Sequence, residues 1–205
     1  MDRNDELIFA TQEQQELFDK IRRDLTNFPP ELIYHWLLPF ADVDELGWPP
    51  PEGDTDEAKE NRWHGILRYG VSSWRRVAWE LQELDAKTIP FTGESLRGFQ
   101  SLALYGLGEQ TALGALMGES SKRRFWQQTK IILDSGSFAQ PPALLWVGDR
   151  LECVDGNHRL SALSLVLSDP RVRATHERMG WESVPLAEVH QFWVGTLPPP
   201  ENPPA

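Results

Sequence analysis

The stretch "RLECVDGNHRLSAL", residues 150–163, restricts the fold more than any other part of the chain. A short apolar run ends at Val154, Asp155-Gly156 follows, and Leu160, Leu163, Val166 and Leu167 then recur at helical spacing. The pattern predicts a strand that turns at glycine directly into a helix. At such a junction the first backbone N–H groups have no partner within the helix, and the helix dipole adds positive potential. The corner is therefore suited to an anion. Gly156 permits close backbone approach, and His158 and Arg159 in the first turn add donors suited to phosphate. Asp155 suits a divalent metal, the orientation of His158, or a ribose hydroxyl. A plainer reading of the same residues is a helix start capped by Asn157 with Arg159 in an internal ion pair.

The flanking sequence is consistent with this junction. "ALLWVGDRLECV" predicts two short strands joined by a tight Gly-Asp turn. "DPRVRATHERMG" predicts a further helix with Pro170 at its start, and "SVPLAEVHQFWV" a final strand. Upstream, "ESSKRRFWQQTKIILDSG" predicts a helix burying Phe125, Trp126, Thr129, Ile132 and Leu133, with Gly136 as its stop. Its Lys122, Arg123 and Arg124 form the densest basic cluster in the chain. They read as a solvated face, or as a phosphate clamp if folding brings them near residue 158.

The N-terminal part has a different texture. "TQEQQELFDKIRRDLTNF" predicts a helix opened by a Thr11–Gln14 capping box, with Leu17, Phe18, Ile21 and Leu25 on one face. "ELIYHWLLPF" reads as a short second helix, and residues 41–56 as a proline-rich acidic loop. From Glu57 to about Leu84 the spacing again predicts helix, with Trp63, Leu67, Trp74, Val77 and Leu81 in the core. "KTIPF" reads as a short strand. "GESLRGFQSLALYGLGEQTALGALMG" reads as helical with breaks at Gly106 and Gly108, and the tail "LPPPENPPA" as disordered. Most of the nine Trp belong in a helical core, and those left exposed would offer a protein-binding face.

Charge narrows the partners. Residues 1–121 carry 11 basic and 22 acidic side chains, whereas residues 122–205 carry nine of each. An acidic surface of this kind repels phosphate backbones at long range, which argues against non-specific nucleic-acid binding. It does not disfavour one small nucleotide held at a helix end. The single Cys153 excludes an internal disulfide framework. His35, His64, His176 and His190 lack metal-ligand spacing. No apolar run is long enough to span a membrane, and the acidic start does not read as a targeting segment, so a cytoplasmic location is expected.

"VDGNHRLSAL" resembles the signature of the ParB/sulfiredoxin superfamily, in which a strand leads into D-G-x-H-R-x-x-A at a nucleotide-phosphate site. Gly136, Gln140-Pro141 and the strands around Leu145 and Leu151 resemble the run that precedes it, and "VPLAEV" the strand that follows. The likeness spans roughly residues 87–195 and is dense from 133 to 167. It implies an α+β fold, a small mixed sheet with helices, preceded by a mainly helical region over 1–86 and followed by the tail 196–205. It also implies a nucleotide site in which Gly156, Asn157, His158, Arg159 and Gln140 bind ATP or CTP. His158, Arg159, Asp155 and Glu94 would carry phosphoryl hydrolysis or transfer, with Asp155 on Mg²⁺. Asn157 stands where sulfiredoxins have their reactive cysteine, so sulfinic-acid repair is not implied. About 40 residues follow the motif, too few for the DNA reader of partition proteins. A non-catalytic nucleotide-regulated or protein-binding adaptor is the alternative, and a ParB-like nuclease a weaker one.

Overall fold

The computed structural model describes residues 7–51, 61–109 and 118–198, an α+β chain with one four-stranded sheet. It divides into two compact units, one from Met1–Trp79 with Gly195–Ala205, the other from Glu80–Val194.

The first unit is helical. Helix α1 (Gln12–Asp24) starts where the capping box predicts: Thr11 Oγ1 accepts from Gln14 N at 3.1 Å, and Gln14 Oε1 accepts from Ala10 N at 2.9 Å. Pro29 and Pro30 then admit a new helical start, because Pro30 at the first position gives up an N–H that has no partner there anyway. Helix α2 (Pro30–Leu32), a π-helical turn (Ile33–Leu37) and α3 (Leu38–Ala41) run on from it. Helices α4 (Arg62–Ile66) and α5 (Val71–Trp74) follow. The core is aromatic. Trp36, Trp63 and Trp74 are fully buried, and Trp36 meets Trp74 edge to face at 5.3 Å. Asn27 Nδ2 donates to the carbonyls of Trp74 and Val77 at 2.8 and 2.7 Å, which fixes the turn after α5. Trp48 lies in the predicted loop yet is buried, its indole against Trp63 at 5.3 Å. Residues 52–56 of that loop, 57–60 at the start of the helix predicted from Glu57, 110–117 of the small-residue-rich stretch and the tail from 199 onward lie outside the described residues.

The helix expected to run to Leu84 does not form past Trp74. Residues 78–84 are strand β1 (Ala78–Leu84), and Leu81 is 41% exposed rather than in the core. "AWELQEL" is rich in good helix formers, so pairing within the sheet overrides local propensity. In the second unit α6 (Gly93–Gly106) is capped by Thr92, and α7 (Gly118–Ser135) follows. Strands β2 (Ala143–Val147) and β3 (Arg150–Asp155) form the predicted hairpin, with Val147 paired to Arg150 and Gly148 at φ +63° in the two-residue turn. Helices α8 (Asn157–Ser168) and α9 (Pro170–Arg178) and strand β4 (His190–Thr196) complete the order. The sheet runs β1-β4-β2-β3.

Three further expectations are corrected. "KTIPF" is not a strand but a single bridge, Phe91 to Leu151. The last strand begins at His190, not near Ser183. Trp126 and Leu167, expected inside, are 39% and 37% exposed. Helix α8 packs against both α6 and α7. It buries Leu160 against the sheet residues Leu144, Leu151 and Phe192, and Ala162, Leu163 and Val166 against Leu102, Phe125 and Ile132. Covered on several sides, α8 buries Ser161 and Leu165 as well as the predicted Leu160, Leu163 and Val166. Among the described residues no helix is long and apolar enough to cross a membrane.

Candidate functional site

The predicted junction forms. Strand β3 ends at Asp155, Gly156 takes φ +100° and ψ 20°, and α8 begins at Asn157. An added Cβ on Gly156 would lie 2.8 Å from Pro142 Cβ and 3.1 Å from Arg159 Nε. Only glycine meets both the left-handed backbone and the close contact. The turn is braced from the other side by Ser95 on α6, whose Oγ accepts from Cys153 N at 3.0 Å. Cys153 is buried in β3, as its apolar neighbours predict.

No side chain caps α8. Helices α1, α6 and α9 are each capped by a side-chain oxygen, from Thr11, Thr92 and Asp169. Asn157, read as a cap or a ligand contact, is instead the first helical residue and is exposed. The first N–H groups of α8 therefore lack a side-chain acceptor, as do those of the short helices α2, α3 and α5.

His158 faces α7. Its Nε2 lies 2.9 Å from Ser121 Oγ. Burial, then the charges of Arg124 and Arg159, push its pKa down from 6.5 to about 4. The ring is therefore neutral at physiological pH and acts as an uncharged hydrogen-bonding group. The charge of Arg124, from the basic run on α7, is thus felt at the motif. Arg124 is exposed.

Arg159 departs from the expected role. Its guanidinium donates to the Gln140 carbonyl at 3.0 Å and the Pro141 carbonyl at 3.4 Å, and pairs with Asp155 Oδ2. The arginine side chain is only 11% exposed. It is thereby tied to the protein's own acceptors and ties the segment before β2 to the end of β3, the internal ion pair of the plainer reading. Gln140 enters through its backbone carbonyl rather than its side chain.

The same pair bears on the expected metal. Asp155 turns its carboxylate to Arg159, and among the described residues no three His, Cys, Asp or Glu side chains gather into a metal-holding group. Asp155, expected on Mg²⁺, is the ion-pair partner of Arg159, and no second carboxylate stands with it among the described residues to complete a protein-held Mg²⁺ site. Glu94 is exposed in the first turn of α6, beside Ser95.

No family model, curated protein or solved structure matches the chain. The site is thus defined by its own geometry. Sequence reading missed Ser121 and Ser95. Each makes its contact across tens of residues, 37 to His158 and 58 to Cys153, and neither has a local pattern to mark it.

Proposed function

We propose that the chain binds a nucleotide through its phosphates at the start of α8, in the manner of the ParB/sulfiredoxin superfamily. The observation that carries this reading is the meeting of three features at one corner. They are a helix start with no side-chain cap, a left-handed Gly156 packed against Pro142 and Arg159 that turns the chain into it, and the charge of exposed Arg124 felt at His158. The N–H groups and Arg124 supply positive potential, and His158 supplies an uncharged donor. ATP or CTP is the ligand class in view, and any Mg²⁺ would arrive on the phosphates.

Phosphoryl hydrolysis or transfer, the chemistry expected from sequence, needs a carboxylate base or metal ligand at the phosphates. Asp155 is committed to Arg159, and Glu94 sits exposed on another helix. That commitment favours nucleotide binding without turnover, as in a switch or adaptor. The exposed Trp126 and Trp181 give such a protein aromatic surface for a partner.

Thermal unfolding measured across ATP, CTP and GTP, each with and without Mg²⁺, tests the reading. A ligand specific to the native state raises the unfolding temperature by mass action. Arg124→Ala should abolish the rise. If no nucleotide raises it, the proposal is wrong. A phosphate-release assay on the nucleotide that binds then separates an enzyme from a switch.

A further inference from the structure

We propose that the outer edge of strand β1 pairs with the same edge of a second copy of this chain, antiparallel and centred on Leu81, so that the sheet runs on across a symmetric dimer.

The two edges of the sheet differ. Strand β3 is covered: Thr92 N donates to the Leu151 carbonyl and Leu151 N to the Pro90 carbonyl, each at 2.9 Å, around the bridge from Phe91 to Leu151. Strand β1 stands at the other end of the order β1-β4-β2-β3, and among the described residues no strand or bridge pairs with its outer side. An edge strand turns alternate N–H and C=O groups outward, and that row is a template for another strand. The usual blocks to such pairing, proline and lysine, do not occur in "AWELQEL". Ala78, Glu80, Leu81 and Glu83 are exposed, and Leu81 leaves 41% of its surface in water.

The side chains of β1 select the occupant. Residues opposite each other in an antiparallel pair share a face. A two-fold axis perpendicular to the sheet keeps every side chain on its own face, so the axis must pass beside a residue that meets its own counterpart. Centring on Glu80 or Glu83 sets a carboxylate directly against itself. Centring on Leu81 sets leucine against leucine, and it is the one symmetric register that pairs the full length of both strands. Glu80 then faces Gln82 of the other copy, Glu83 faces Trp79, and Ala78 faces Leu84, so no carboxylate directly opposes another. Gln82 Nε2 already donates to Glu80 Oε2 at 2.7 Å within the strand, so amide and carboxylate lie on one face and suit the crossed pairing. This self-complementarity favours a second copy over an unrelated strand. A strand edge alone is a small interface, so the dissociation constant should be on the order of tens of micromolar.

Sedimentation velocity on the full chain tests the proposal, at about 0.5 M salt to screen the net charge of −11 on each copy. Wild type should pass from monomer to dimer across roughly 5–200 μM. Leu81→Glu sets carboxylates against each other at the centre and should raise the dissociation constant by about tenfold or more, with circular dichroism checking that the fold is kept. Leu81→Cys tests the register: thiols that meet at the axis should close a disulfide between copies under mild oxidation, whereas Glu83→Cys, opposite Trp79, should not. A wild type that stays monomeric overturns the proposal. So does a dimer that a folded Leu81→Glu leaves intact, or one in which Glu83→Cys cross-links as fast as Leu81→Cys. Should Leu81→Glu unfold, the two cysteine variants decide alone.

Discussion

Gly156→Ala is the sharpest test of the corner. Two costs combine. The first is conformational: at φ +100° an alanine is forced into the left-handed region, which costs roughly 1–2 kcal/mol. The second is steric. The new Cβ would sit 2.8 Å from Pro142 Cβ and 3.2 Å from Pro142 Cα, where 3.4–4 Å is ordinary contact. Pro142 is poorly placed to yield, because its carbonyl accepts from Trp193 N at 2.9 Å and Arg159 holds the two carbonyls before it. Overpacking of this kind costs about 1–3 kcal/mol. The sum is about 2–5 kcal/mol, or on the order of 4–20 °C in unfolding temperature for a chain of this size. Gly180→Ala is the control, since φ is +81° there but nothing lies within 4 Å of the added Cβ. It should lose only the conformational part. Thermal unfolding followed by circular dichroism reads both variants. If Gly156→Ala loses no more than Gly180→Ala, the contact with Pro142 does not shape the corner and the reasoning fails.

Other outcomes follow from the same geometry. Arg159→Ala should destabilise by about 2–4 kcal/mol, because it leaves Asp155 and two carbonyls without their donor. Arg124→Ala, exposed on α7, should change stability by less than about 0.5 kcal/mol while removing nucleotide affinity; the reverse ranking in urea unfolding and titration would refute the division of roles. The lowered pKa of His158 means the unfolded chain takes up its proton first on acidification. The stabilising contribution is complete above pH 6.5 and is lost as pH falls toward about 4. After allowance for solvent access this amounts to roughly 1–2 kcal/mol, so His158→Gln should shrink the difference in unfolding free energy, read from urea titrations, between pH 7.5 and 4.5 by about that much. An unchanged difference would rule the buried neutral ring out. Gly106→Ala would place a Cβ 2.4 Å from the Phe125 ring and should destabilise by about 1–3 kcal/mol, with Phe125→Leu relieving part of that loss in the double variant.

The hairpin and the strand–glycine–helix junction were legible because local chemistry decides both. Gly148 has a turn to make, Gly156 a left-handed corner, and the residues on either side alternate or repeat at the period of the element they form. Helix α1 was legible for the same reason, since Thr11 and Gln14 act within one turn. Strand β1 was not, because Ala, Glu, Leu and Gln favour helix and only the neighbouring strand makes residues 78–84 extended. The site divides likewise. Its backbone could be read from residues 154–157, whereas the roles of its side chains could not. Whether Arg159 meets a ligand or Asp155, and whether His158 is charged, depends on burial and on residues from distant elements. Trp126 and Leu167 failed for a geometric reason: helix spacing names a face but not how far the neighbouring element covers it.

Arg159 fastens the Gln140 and Pro141 carbonyls, the end of β3 and the first turn of α8 together. Those pieces must therefore move as one body. In amide exchange the end of β3 and the first turn of α8 should therefore gain and lose protection together, and Arg159→Ala should uncouple them.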